Sequence, residues 1–113
     1  MKPLDYRTIE RKFDRAVNMT SEQIRAWLET DESKSVGFRY PGQKESVGRQ
    51  SARKIIKILE HGPATDQDFL HMRKVVGYVV RHTAQRPKKD ITHTPFRASL
   101  MNWGHDPLGI GEL

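Results

Sequence analysis

TDQDFLHMRKVVGYVVRHTAQR, residues Thr65–Arg86, decides the fold. Its apolar residues Phe69, Met72, Val76, Val79 and Val80 recur at three- and four-residue steps, the spacing that lays one stripe along a helix. Thr65, with Asp68 three residues on, supplies an N-cap and a first-turn carboxylate. At the other end Pro87 cannot continue the helix and biases Arg86 out of it. The sequence therefore predicts a central core helix with both ends marked, and the rest of the chain is expected to cover its stripe.

That cover has little apolar material to draw on. In 113 residues, 35% are hydrophobic and 30% charged, so the prediction is one domain, 1–113, around a small core. No run reaches the roughly 18 apolar residues of a membrane span, and the first seventeen residues lack the apolar centre of a secretory signal. A soluble cytoplasmic protein is expected. With no cysteine there are neither disulfides nor thiolate metal sites, and the fold must rest on packing.

Outward from the central helix, the flanking segments read as further helices. Tyr6, Ile9, Phe13 and Val17 share one face of Leu4–Val17, with both charge signs around the rest. Thr20 and Gln23 match a capping box, and Ile24, Trp27 and Leu28 form the buried face of a short helix behind it. Gly48–His61 turns Ala52, Ile55, Ile56 and Leu59 inward and stops at Gly62-Pro63. Thr94-Pro95 caps a last helix to Asn102, with Leu100, Met101 and Trp103 packing inward and Gly104 as the stop. Between the second and third of these, Thr30–Val47 loses all periodicity and is expected to be one long loop. Residues 105–113 form a C-terminal tail. The predicted fold class is all-α, a single small irregular bundle of four to five helices.

Charge is distributed unevenly. Lys and Arg number 20 against 14 Asp and Glu, a formal net charge of +6; through Ser33 there are six cations against seven acids, and from Lys34 onward fourteen against seven. A localised excess of this kind suits a polyanion such as nucleic acid, through release of its condensed counterions. Arg49, Arg53 and Lys57 recur every fourth residue, Lys54 flanks them, and no acid at matching spacing precedes Glu60. Arg73, Lys74, Arg81 and His82 lie off the apolar stripe of the central helix. Gly77 among them needs a reason, either close crossing of another helix or approach of a phosphate backbone. Arg86-Pro-Lys88-Lys89 makes a basic turn. In the long loop, Lys34, Arg39 and Lys44 stand beside Phe38 and Tyr40, which either stack on bases or tuck onto the domain.

Chemistry is less well supported. His105 next to Asp106 offers a base and a carboxylate, yet adjacent residues rarely face one another and no motif places a Ser or Cys nucleophile. These groups read as caps and turn bonds that dock the tail. His71 and His82 fall on nearly the same helical face but three turns apart, too far to share a metal.

The runs Ser33-Lys-Ser-Val-Gly37, Glu45-Ser-Val-Gly48, His71-Met-Arg-Lys-Val-Val-Gly-Tyr78, Ala84-Gln-Arg-Pro87 and Ser99-Leu-Met-Asn-Trp-Gly-His-Asp-Pro107 resemble a family of small bacterial and fungal proteins whose domain has no assigned function. Some relatives carry a DNA-binding label, which the resemblance extends to this chain as an implication; it implies no catalytic residue and no cofactor. The site positions rest on charge: Lys44, Arg49, Arg53, Lys57, Arg73, Arg81, Arg86, Lys88 and Lys89 are the candidate nucleic-acid contacts. No catalytic, cofactor or metal site is expected. The leading function is non-catalytic, largely sequence-independent DNA binding, since no helix-turn-helix signature is present. A protein-interaction or stress-related module using residues 30–47 is the alternative, and a small hydrolase the third.

Overall fold

A computed structural model describes residues 4–109. Among them lie six helices and no strand: α1 Tyr6–Ala16, α2 Ser21–Leu28, α3 Asp31–Lys34, α4 Val47–His61, α5 Asp66–Thr83 and α6 Pro95–Asn102. Every one starts at a side-chain cap. Asp5, Thr20, Thr30, Ser46, Thr65 and Thr94 each accept the backbone N–H three residues on, satisfying one of the orphan donors of a first turn. Thr20 with Gln23 and Thr65 with Asp68 complete capping boxes.

The all-α fold class is as expected, with one helix more than the upper count. The addition is α3, four residues inside the stretch expected to be loop; Thr30 caps it, and its Ser33 is fully buried. Residues 35–46 remain irregular. Tail residues 110–113 fall outside the described part.

The helices pack in pairs, α1 along α5 and α2 along α4, with α6 meeting α2, α3, α4 and α5. The sequence assigns the centre to α5. The structure gives it to the shorter α6, whose Leu100 and Asn102, with Trp103 just after, are buried where the pairs meet. Two expected inward residues are also corrected. Val80 is 60% exposed, and Val75 is buried instead; Leu59 is exposed, and Ile58 is buried instead. On α4 the progressions 52–55–58 and 52–56–59 are both apolar, and which one faces in at the last turn depends on how α4 lies against its neighbours.

Gly77 has a different reason from either expected one. A Cβ there would lie 2.9 Å from Arg81 Nη1, and its three nearest atoms all belong to that guanidinium. Among its nearest neighbours there is no atom of another helix, and the end of the Arg81 side chain lies over it.

A buried polar chain ties the elements together. Arg49 Nη1 donates to the Leu28 carbonyl at 2.8 Å and to Ser33 Oγ at 2.7 Å. Ser33 Oγ donates to Asn102 Oδ1 at 2.6 Å, which also accepts Trp27 Nε1 at 2.8 Å, while Asn102 Nδ2 returns to the Ser33 carbonyl. Thus α2, α3, α4 and α6 share one network with no buried side-chain polar atom left unpaired. The tail docks by similar means: Asn18 clasps the Asp106 backbone through both its side-chain atoms, and Arg97 pairs with the buried Asp106 carboxylate at 2.9 Å.

Candidate nucleic-acid interface

The expected basic stripe on α4 divides at its first member. Arg49 is only 7% exposed, and its guanidinium is committed to Leu28, Ser33 and Glu45, so it is a structural cation rather than a surface one. Arg53 is exposed but held by Glu45 at 2.8 Å through two of its nitrogens. The expectation of an unneutralised stripe is corrected here: Glu45, four residues before Arg49 and outside the helix, pairs with both arginines. Arg53 and Arg49 together hold the Glu45 carboxyl below its usual range.

Lys57 stays exposed, and with Lys54 and Lys74 it lines a recess of about 440 Å³ whose walls include Asp68 and His71. Asp68 accepts the Ala64 and Thr65 backbone N–H groups as part of the α5 cap. His71 is half-buried beside these lysines. Burial first, then the charges of Lys54 and Lys74, lower its pKa from 6.5 to about 4. The ring is therefore neutral at pH 7, and its Nε2 sits 2.9 Å from Ser51 Oγ.

Lys74 also borders a second hollow, a cleft of about 330 Å³ between residues 37–48, α5 and α6. Phe38 and Tyr40 line it on the loop side, Tyr78 and Trp103 on the helix side, with Arg81 as a further cation. Behind it runs a stack of near-parallel rings: Trp103 on Tyr78 at 4.3 Å, and Tyr78 on His82 at 4.2 Å. Gly48 lets α4 lie close to the Trp103 indole, since a Cβ there would sit 3.1 Å from Trp103 Nε1. A third hollow, of about 620 Å³, shares Gly37 with the cleft and carries Lys34, Arg39 and Lys44. Glu45 is the one acid on its wall, already paired with the two arginines.

Of the expected contacts, Lys44, Lys57 and Arg81 are brought onto this connected surface. Arg73 lines another groove, between α1 and α5. Arg86 is exposed and donates to the Pro107 carbonyl at 3.2 Å, and Lys88 and Lys89 are exposed in the connection before α6. Sequence reading passed over Lys74 and Lys54 as contacts because their spacing is ordinary for a solvated helix; only the folding of 37–48 against α5 gives Lys74 its place between two hollows.

His105 and Asp106 do not face one another as a catalytic pair. His105 Nδ1 lies 2.7 Å from the Ala16 carbonyl at the end of α1, while Asp106 holds Arg97 and the Leu108 N–H. Among the described residues, no group of three or more His, Asp and Glu is placed to hold a metal, and no helix is long and apolar enough to cross a membrane.

Fold and site together define a small helical domain whose cations surround connected hollows, one of them walled by aromatic rings. The chain belongs to the family described as protein of unknown function (DUF3140), whose model matches residues 12–101. Four of the five runs quoted above lie inside that match, and the fifth, 99–107, continues past its end. No curated protein and no solved structure matches the chain.

Proposed function

We propose that the protein binds DNA through the phosphate backbone, largely without regard to base sequence, on the surface carrying Lys54, Lys57, Lys74 and Arg81 and continued by Lys34, Arg39 and Lys44. The supporting observation is the sharing of residues between hollows: Lys74 borders two of them and Gly37 two, so the cations follow one another along a connected path. No acid lines the middle hollow. Phosphate contacts of this kind position a backbone and carry no base information.

Affinity for a duplex, measured across a salt series, tests the reading. Each neutralised phosphate contributes a slope of roughly 0.9 in log affinity against log salt. Changing Lys54, Lys57 and Lys74 together to Gln, which keeps long helix-compatible side chains, is expected to flatten that slope by about two to three. The triple Arg7→Gln, Arg11→Gln, Arg15→Gln on α1, where Glu10 and Asp14 are interleaved, is expected to retain it. A wild type without DNA affinity at low salt, or a lysine triple with its full slope, would sink the proposal. The exposed Phe38 and Tyr40 favour a second reading, a protein-interaction module, and absence of DNA affinity would point to it.

A further inference from the structure

Phe38 and Tyr40 pose a problem for a surface that only neutralises phosphates. Phe38 is 63% exposed and Tyr40 55%, with their rings edge to face at 4.8 Å. Two neighbouring aromatics left in water forgo the burial that a small core could use. The expectation that they tuck onto the domain is not met.

The loop is constructed to hold them there. Gly37 has φ +96°, in the left-handed region, and a Cβ on it would lie 3.1 Å from Ser46 Cβ. The Phe38 carbonyl accepts Val47 N–H at 2.8 Å, and the Tyr40 carbonyl accepts Gln43 N–H at 3.1 Å, closing the turn through Pro41-Gly42. Gln50 on α4 then donates to both the Gln43 side chain and the Glu45 carbonyl. The rings are carried on a braced turn, and Arg39 lies between them in sequence.

The opposite wall is complementary. Lys74 and Arg81 border the same cleft from α5. Trp103, 5% exposed, also lines it; its indole N–H has no acceptor among the described residues, whereas Trp27 donates to Asn102. At about 330 Å³ the cleft is at the small end of ligand sites, the scale of one ring-sized group rather than a length of chain. Aromatic faces, a spare N–H donor and cations, without an acid, match one chemical unit: a nucleobase with its flanking phosphates. In a duplex that base face is covered by its neighbours. Only an unpaired base can offer it.

We propose that this cleft receives an unpaired base stacked on the face of one ring of the Phe38–Tyr40 pair and met at its edge by the other, with flanking phosphates on Lys74 and Arg81, so that the protein prefers single-stranded to duplex DNA. The proposal rests on the phosphate-binding reading above and adds strand selection to it. The rings set the preference, while the cations give affinity for either form.

The test is the ratio of affinities for a single-stranded oligothymidylate and a duplex of equal length, at one low salt concentration. Wild type is expected to favour the single strand by about tenfold, or about 1.4 kcal/mol. The double variant Phe38→Ala, Tyr40→Ala should bring the ratio close to one. Both side chains are exposed, so an unchanged melting midpoint is the control for folding. In the wild type, a strand whose bases are replaced by abasic residues should lose the same factor with every phosphate still in place. A wild-type ratio near one, or a variant that keeps the preference, overturns the proposal. If both forms bind equally with a steep salt dependence, stacking alone has failed and the phosphate reading stands; if neither binds at low salt, both have failed.

Discussion

Arg49 and Arg53 stand one helical turn apart on α4, and the sequence treats them alike. The structure separates them completely. Arg49 is enclosed, and its guanidinium joins three elements by bonding the end of α2, Ser33 of α3 and Glu45 before α4. Removing it leaves Ser33 and the Leu28 carbonyl short of a charged donor inside the protein. Arg53 makes a bidentate pair with the same glutamate, but in contact with water, where such a pair adds little. Arg49→Gln is therefore expected to cost about 3 kcal/mol of folding stability, and Arg53→Gln less than about 1 kcal/mol. Urea denaturation of the two variants decides it, and equal losses would contradict the burial of Arg49.

At the scale of elements, three of the six caps were legible and packing partners were not. Thr20, Thr65 and Thr94 mark their helices by residue type and spacing alone, because capping is a local bond between a side chain and a backbone three residues away. Helix α3 escaped for the opposite reason. Four residues are too few to show periodicity, and DESK has no apolar face; its one buried side chain is Ser33, held by Asn102 from far along the chain. Residues 35–46 keep the irregularity expected of them, but with specific braces. Hydrogen exchange is expected to be fast across most of 35–46 and slow through the middle of α5, with Val47 and Gln43 N–H groups protected relative to their neighbours. Uniform protection at the level of α5 would mean that the loop opens only with the whole domain; uniformly fast exchange would mean that the turn carrying Phe38 and Tyr40 is not braced.

For the whole molecule, burial of His71 ties stability to pH. Its folded pKa of about 4 lies below the ordinary 6.5, so between these values the unfolded chain binds the extra proton. This contribution is complete above about pH 6.5 and is lost as pH falls towards 4, with a slope of up to one proton. His82, lowered by burial and by Arg81, acts in the same direction. The carboxylates of Asp106 and Glu45, lowered chiefly by Arg97 and by Arg53, lose their contribution at still lower pH. His71→Gln is expected to reduce the slope between pH 6.5 and 4 without changing the acid limb below it; denaturation midpoints across that range provide the check, and an unaltered slope would show His71 to be solvated. What the sequence alone determined about this protein depends on near neighbours: the helical class, the caps at Thr20, Thr65 and Thr94, the apolar faces at three- and four-residue spacing, the excess of cations after Ser33. Burial of Arg49, the central place of α6, the neutralising role of Glu45 and the placing of Phe38 across a cleft from Lys74 and Arg81 belong to the tertiary structure. Each depends on contacts between residues far apart in the chain, and side chains with the same local spacing are sorted into core and surface only when another helix covers one of them.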